Sequence, residues 1–461
     1  MSQTAFSTLK LDAVLLENIA SLGYTEMTPI QAQSLPHILE GKDVIGQGKS
    51  GSGKTAAFAL GVLAMLDVKR KSIQALVLCP TRELADQVAN EIRRLARTTQ
   101  NIKVLSLCGG MPFKAQSDSL KSGAHIVVGT PGRINDHLLK STLKLSDVCM
   151  LVLDEADRML AMGFQPALDA IIEKIPKKRQ TLLFSATYPV QIESIARRVM
   201  IKPIMTKVES LHDSTTIQQH FYRVDANEQR IVALRLILSQ ASTESTVIFC
   251  NTKLDVQALA DDLRRLGYSV LALHGDLEQR DREQTLVRFT NKSVAILVAT
   301  DVASRGLDID ALDCVINYHI ATDPEVHIHR IGRTGRAGNT GVAHSIYTRK
   351  ESHKIEMLGE YLDQIIESET LPSPGSIKKS ITKPAMACIQ IDCRKKQKVR
   401  AGDILGALTG EYGIAGNQVG KINIFDYCAY VAVNRDVVKL ALKKLAEGKL
   451  KGRTFKSRLI S

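Results

Sequence analysis

A chain of 461 residues has room for two to four domains, each large enough to bury its own core. No apolar run reaches the roughly 18–20 residues of a membrane span, and the opening MSQTAFSTLKLD lacks the charged and apolar regions of a signal peptide. The eight cysteines are scattered without a C-x-x-C pair, Cys388 and Cys393 being the nearest two, which argues against a zinc site or a disulfide framework. Reduced, buried thiols and a cytoplasmic compartment are the expectation. The net charge of +13 is unevenly placed: from residue 376 onward 18 lysines and arginines face six acids, while the preceding 375 residues are nearly balanced. A basic tail on a near-neutral body suggests a polyanion-binding module attached to an engine, a solubilising surface being the alternative.

From Asp43 to about Lys207, β-rich runs alternate with helical stretches. DVIGQ, IQALVLCP, IKVLSLC, AHIVVGTP, VCMLVLDEAD and RQTLLFSAT are nearly continuous apolar runs, as in a parallel sheet covered on both faces. AAFALGVLAML and RELADQVANEIRRLA are helical between them. Recurrent βαβ units predict a doubly wound α/β domain with ligands at the strand C-termini.

The first strand runs into GKSGSGKT (Gly48–Thr55), which fits the whole G-x-x-x-x-G-K-[ST] pattern of a phosphate-binding loop. Backbone N–H groups of Ser50, Gly51, Ser52 and Gly53 would close around the β-phosphate, with Lys54 reaching the β/γ-phosphates and the Thr55 hydroxyl holding Mg²⁺. LVLDEAD (Leu151–Asp157) reads as a buried strand that delivers Asp154 to the same metal, with Glu155 placed to activate a water. Together these predict nucleoside triphosphate hydrolysis with Mg²⁺; a buried salt bridge is the weaker reading of the acids.

A second strand series begins near Gln218: STVIFCN, SVLALH, VAILVATD, CVINYH and GVAHSIYT alternate with helical segments, without a phosphate loop of their own. VESLHDSTTIQQ, polar and aperiodic, lies between the two series as a linker. ESETLPSPGSIKKSITKP (Glu367–Pro384) reads as a tether. Beyond it, MACIQID, KINIF, YCAYVAV and TFKSRLI are strand candidates and AGDILGALTGE and RDVVKLALKKLAEG helices, a βαββαβ order that fits a ferredoxin-like or RRM module. The expected domains are therefore 1–206 and 218–368, joined by 207–217, then a flexible linker 369–384 and an RNA-binding module 385–461.

In order, the chain carries TPIQ (Thr28–Gln31), GSGKT, PTREL (Pro80–Leu84), GG (Gly109–Gly110), TPGR (Thr130–Arg133), DEAD (Asp154–Asp157), SAT (Ser185–Thr187), ATDVASRGLDI (Ala299–Ile309) and HRIGRTGRAG (His329–Gly338). Over roughly residues 5–365 this series resembles the DEAD-box family of ATP-dependent RNA helicases. The resemblance implies two RecA-like domains. It makes Gln31, with Phe6, the adenine reader, Asp308 beside Gly306 the ribose contact, and Ser185 and Thr187 the coupling element. Arg333 and Arg336, three residues apart and expected on one helical turn, become arginine fingers. For Arg330, contact with a phosphate backbone is the alternative reading. Thr81, Arg82, Gly110, Thr130, Gly132, Arg133 and Thr300 match positions that hold the RNA strand, largely through its backbone; His274, Gly275, Gln279 and Arg282 are further candidates. One departure is Gly48 and Ser50 in place of the usual Ala-x-x-Gly, small changes that leave a working loop expected. DNA translocases share the loop and acidic box, but TPIQ, DEAD and SAT together argue for RNA and no DNA. A nucleotide-gated RNA clamp is not separable from a helicase by these motifs.

The tail resembles the RRM-like domain of bacterial DEAD-box proteins specific for 23S ribosomal RNA, on RKKQKVRAGDILGAL, QVGKINIFDYCAYVAV and LKGRTFKSRLI. This implies a 23S rRNA hairpin in a large-subunit precursor as partner. Aligned on Tyr430-Val431, the other stacking positions of an ordinary RRM strand fall on Cys428 and Val433, so stacking on the sheet is weakened. Candidate contacts are Arg394, Lys395, Lys396, Lys398, Arg400, Tyr427, Lys449, Lys451, Arg453 and Lys456. A monomer is expected.

Overall fold

The computed structural model describes residues 4–48, 51–208, 217–240, 244–304, 312–335, 340–373, 383–393, 397–410, 412–425, 427–448 and 450–460. They fall into two compact units, the first holding one sheet and the second two.

The sheet of the first unit contains β1 (Val44–Gln47), β2 (Ala75–Leu78), β3 (Val104–Leu107), β4 (Ile126–Gly129), β5 (Met150–Asp154), β6 (Gln180–Ser185) and β7 (Ile204–Lys207). All are parallel, in the order β3-β4-β2-β5-β6-β1-β7. Strands β2, β4, β5 and β6 are buried at every position, which is why they stand out as apolar runs in the sequence. The edge strand β7 (IMTK) is only partly covered and escapes that signal. Helices on the two faces close two cores, one around Phe58, Val77 and Val152 and the other around Leu76, Leu151 and Met159. The order places β6 between β5 and β1, so three strand ends converge at one edge.

The second unit contains β8 (Ile217–Val224), β9 (Thr246–Phe249), β10 (Val270–Leu273), β11 (Ile296–Ala299), β12 (Cys314–Asn317) and β13 (Gly341–Thr348), parallel in the order β10-β11-β9-β12-β13-β8. Both parallel sheets are RecA-like, as expected. Strand β8 (IQQHFYRV) is another edge strand with no apolar run to announce it. The expected tether begins later than residue 369. Glu369 bridges to Tyr222, its N–H donating to the Phe221 carbonyl at 2.7 Å, and Leu371 packs on the core of this sheet. A second difference concerns HRIGRTGRAG. The helix Pro324–Ile331 ends at its cap, Gly332, and Thr334 beyond it bridges to Leu312. Arg333 is therefore outside that helix, and Arg336, expected to share a helical turn with it, lies outside the described residues.

The tail is a four-stranded antiparallel sheet of β14 (Met386–Ile391), β15 (Val419–Ile424), β16 (Ala429–Asn434) and β17 (Ser457–Ile460), ordered β15-β16-β14-β17. This is the βαββαβ arrangement expected. Ile389, Ile391, Val431 and Val433 face the helices Ala401–Thr409 and Val438–Glu447 through Ile404, Leu408, Ala441 and Leu445. Period-two alternation thus puts Val433 on the helix side, correcting its assignment to the stacking face. The opposite face carries Cys388, Cys428 and Tyr430, which pack with Val287 of the helix Gln279–Thr290. Asn291 Nδ2 adds a contact to Cys388 Sγ at 3.3 Å. Tyr430 is 1% exposed, so in this arrangement the face that stacks bases in an ordinary RRM is closed.

Candidate nucleotide site and nucleic-acid interface

The three converging strands of the first unit bring the phosphate loop, the acidic box and the SAT segment together. Gly48 N–H donates to the Ser185 carbonyl at 3.0 Å, joining the loop to the end of β6. Gly53 has φ +95°, and a Cβ there would lie 2.6 Å from Gln31 Nε2 and 2.7 Å from Thr28 Oγ1. Only glycine fits. Lys54 opens the following helix and its Nζ donates to the Gly48 carbonyl at 2.6 Å across the loop. The buried Ser52 hydroxyl has no partner among the described residues, an orphan polar group on the phosphate loop.

Gln31 is 2% exposed. Its Oε1 accepts from Thr28 N–H at 2.9 Å and its Nε2 donates to the Gly53 carbonyl at 3.1 Å, while Thr28 Oγ1 donates to the Ser52 carbonyl at 2.7 Å. TPIQ therefore braces the phosphate loop directly. Phe6 is buried edge-on to Tyr24, part of the core in this state.

At the end of β5, Asp154 is 3% exposed. Burial and then the charge of Glu155 push its carboxyl up to about 7. Burial pulls the Lys54 ammonium below its usual value, opposed chiefly by Asp154 and Glu155. Glu155 turns the chain through a left-handed conformation, φ 53° and ψ 51°, and starts the next helix. Its Oε2 meets Arg158 Nη1 at 2.7 Å, with both side chains largely buried. Asp157 Oδ2 accepts from Thr187 N–H at 3.0 Å and Thr187 Oγ1 at 2.9 Å. Burial raises the Asp157 carboxyl, but these bonds and the neighbouring cations outweigh it and hold it below the usual range. Ser185 Oγ accepts from Asp157 N–H at 3.4 Å. Arg158, and Asp157 as the bridge to SAT, were not singled out from sequence; the i, i+3 spacing of Glu155 and Arg158 was the available signal.

The matched RNA positions of the first unit lie together. Thr81 caps the helix Arg82–Leu95 through Leu84 N–H, and Thr130 precedes the helix Pro131–Leu139. Arg82 lies on the Gly109–Gly110 turn so closely that a Cβ on Gly110 would fall 1.9 Å from its Nη1. Gly132 and Gly110 are exposed, and Arg133 Nη1 donates to the Met111 carbonyl at 2.9 Å. In the second unit Thr300 Oγ1 accepts from Ala303 N–H at 3.3 Å, His274 Nε2 lies 3.2 Å from Gln257 Oε1, and Arg282 reaches the Ala303 carbonyl at 3.2 Å. Gly275 is exposed and Gln279 partly so. Arg333 is 8% exposed. Arg330 has no N–H left over for an RNA phosphate in this structure. All five of its N–H donors are spent on Asp301, Asn251, Asn317 and the His319 carbonyl, in a buried knot that ties the end of β11 to the HRIGR segment.

On the tail, Lys398, Arg400, Lys451, Arg453 and Lys456 are exposed and Tyr427 is 68% exposed. Lys451 Nζ donates to the Lys398 carbonyl at 2.5 Å and lies 3.5 Å from Asp403. Ser50, Gly306, Asp308, Arg336, Arg394, Lys395, Lys396 and Lys449 lie outside the described residues. All eight cysteines are unbridged, and seven are buried. Among the described residues, no group of three or more His, Cys, Asp or Glu could hold a metal, and no helix is long and apolar enough to cross a membrane.

Residues 28–195 match the DEAD/DEAH box helicase family, 228–338 the helicase conserved C-terminal domain and 388–459 the DbpA RNA binding domain. The ATP-dependent RNA helicase DbpA of Escherichia coli is 52% identical over 458 residues, spanning 99% of this chain and 100% of that protein. The DEAD-box ATP-dependent RNA helicase CshA of Bacillus cereus is 44% identical over 353 residues, 77% of this chain and 67% of CshA. Among solved structures, S. cerevisiae Dbp5 bound to RNA and ADP BeF3 superposes with a TM-score of 0.72 at 29% identity, over 80% of this chain and 95% of Dbp5.

Proposed function

Because the chain belongs to the DEAD-box family of ATP-dependent RNA helicases, we propose that it remodels structured 23S ribosomal RNA during large-subunit assembly, addressed there by its basic tail. The observation that carries this reading is the match of residues 388–459 to the DbpA RNA binding domain. The closed sheet face of that module supports recognition of a folded hairpin through loops and charged edges instead of stacked single strands. Tyr427, Lys398, Arg400, Lys451, Arg453 and Lys456 are the exposed groups available for it. A cytoplasmic monomer is the matching form, with residues 1–206, 218–368 and 385–461 acting as engine halves and address module.

In the engine, Lys54 and the loop amides hold the phosphates. The Thr55 hydroxyl and Asp154 fit Mg²⁺: hard oxygen donors beside substrate phosphates, at a carboxylate whose burial against Glu155 leaves negative charge to be neutralised. Bound there, the ion supplies charge neutralisation at the β/γ-phosphates. Glu155 takes the proton of the attacking water, held in place by Arg158. Arg333, with Arg336, meets the γ-phosphate when the two domains close on ATP and RNA, and Ser185 and Thr187 pass that closure to the RNA strand through Asp157. Gln31 reads adenine, and Asp308 the ribose.

The test is a duplex-unwinding assay on a 23S hairpin-bearing substrate, with a Glu155→Gln variant beside the native chain. ATP-dependent strand separation, reduced to at most one turnover by Glu155→Gln, is expected. Tight ATP-dependent binding without separation in either protein would replace the helicase by an RNA clamp.

A further inference from the structure

Two of the segments assigned to RNA in the first domain, the Gly109–Gly110 turn and TPGR, are joined by one side chain that no motif contains. Gln116, in the helix Phe113–Lys121, is 7% exposed and spends both ends of its amide. Its Nε2 donates to the Cys108 carbonyl at 2.8 Å, immediately before the Gly109–Gly110 turn. Its Oε1 accepts from Arg133 Nη1 at 2.9 Å, and the same Nη1 donates to the Met111 carbonyl immediately after that turn. The glycine turn is therefore clamped at its entrance by Gln116 and at its exit by Arg133, and the two clamps are bonded to each other.

The other side of the ring is equally fixed. His137 is fully buried, its Nε2 3.2 Å from Gln116 Oε1 and its Nδ1 2.7 Å from Thr142 Oγ1. An acceptor oxygen at Nε2 makes that nitrogen the protonated one. Phe113 stacks on the imidazole at 4.1 Å and 17°, and the Arg133 guanidinium lies 5.9 Å from the Phe113 ring. A guanidinium reaching toward solvent has many rotamers, and ordering them on binding costs affinity. Here Arg133 is held in one of them before any RNA arrives.

We propose that Gln116 is a positioning residue for RNA, which locks the Gly109–Gly110 turn to Arg133 so that the two meet the phosphate backbone as one preformed surface. This rests on the assignment of Arg133 to the RNA contact. A satisfied buried amide that only stabilises the fold is the competing account. It predicts lower turnover at every RNA concentration, whereas a positioning role moves the RNA concentration needed and not the rate once RNA saturates.

The experiment measures RNA-stimulated ATPase of the full chain against RNA concentration, with thermal melting, for Gln116→Met, Gln116→Glu, Arg133→Met and the Gln116→Met/Arg133→Met pair. Gln116→Met is expected to raise the half-saturating RNA concentration about five- to tenfold, the scale of one intramolecular hydrogen bond, with turnover at saturating RNA kept within about twofold. Gln116→Glu, nearly isosteric, keeps the acceptor for Arg133 but turns an oxygen toward the Cys108 carbonyl. It is expected to show the same kind of rise, which keeps the test open if the methionine variant folds poorly. The double variant should fall short of the product of its two single effects, as for residues acting through one another. Native half-saturation in both Gln116 variants, or strictly multiplicative effects in the pair, overturns the positioning role. An Arg133→Met protein with native RNA dependence instead overturns the RNA-site assignment, and the proposal with it.

Discussion

The Glu155 carboxylate lies 2.7 Å from the Arg158 guanidinium in a pair from which water is nearly excluded. Glu155 is also the residue at which the backbone passes through the left-handed region. Its direction is thus set twice, by the turn and by the ion pair. Replacing Arg158 by methionine leaves a buried carboxylate without its partner. The expected loss is about 3 kcal/mol of stability and about tenfold in ATPase turnover, with half-saturation by ATP little changed. Melting and steady-state kinetics check it; a raised KM with full turnover would mean that Arg158 serves binding and not the base.

Asp157 and Thr187 make a second, separable prediction. The Thr187 hydroxyl supplies one of the two hydrogen bonds that the Asp157 carboxylate accepts from SAT, the Thr187 backbone N–H supplying the other. Thr187→Val removes only the first, worth about 1–1.5 kcal/mol. Unwinding should fall several-fold more than ATPase. Equal losses in the two assays would mean that the contact shapes the hydrolytic site without transmitting anything.

Two histidines, His327 buried and His344 half-buried, should make the second unit acid-sensitive. Burial lowers His327 to about 3, helped by Arg330, and His344 to about 4, helped by His220. Unfolded, each titrates near 6.5. Below that value the unfolded chain binds protons that the folded one refuses, so stability present above pH 6.5 is lost progressively as the pH falls toward the folded values. For His327 alone the loss between pH 6.5 and 5 is about 1.5 kcal/mol. Denaturant unfolding at those two pH values measures it, and His344→Phe, which removes the second imidazole from its stack with His220 and Tyr222, should flatten the dependence. An unchanged midpoint across that range would contradict it.

The tail's charged edge and its closed sheet face predict opposite outcomes. Replacing Arg453 and Lys456 by glutamine should weaken hairpin binding and reduce the slope of log K against log salt by roughly 1.5. Tyr430→Leu, on the face packed against Val287, should leave that slope unaltered. Binding titrations at several salt concentrations distinguish them. A Tyr430 effect on hairpin affinity larger than that of the two cations would restore the sheet as the RNA platform.

Central strands and ligand-bearing turns were legible in the sequence for the same physical reason: burial on both faces writes continuous apolar runs, and phosphate chemistry demands particular residues at their ends. β5 running into Asp154 is the clearest example. Edge strands β7 and β8 carry mixed residues because one side meets solvent or a loop, and no run marks them. Arg333 was expected on a helix because its spacing to Arg336 suits one, yet Gly332 caps the helix first. For Arg330 the sequence left contact with a phosphate backbone open, and only tertiary structure reveals the four residues that consume its donors. The contacts of Gln31 with the Gly53 carbonyl, and of Gln116 with the Cys108 carbonyl and the Arg133 guanidinium, are likewise invisible to spacing, since each joins separate elements of the chain.

The most direct measurement is the ATPase rate of the intact chain with a 23S ribosomal hairpin fragment against the same concentration of poly(A), repeated for the Arg453→Gln/Lys456→Gln protein. An engine addressed by its tail predicts strong stimulation by the hairpin over poly(A), and loss of most of that preference in the variant. Equal stimulation by both RNAs in both proteins would contradict it, leaving a helicase whose tail is a general electrostatic tether.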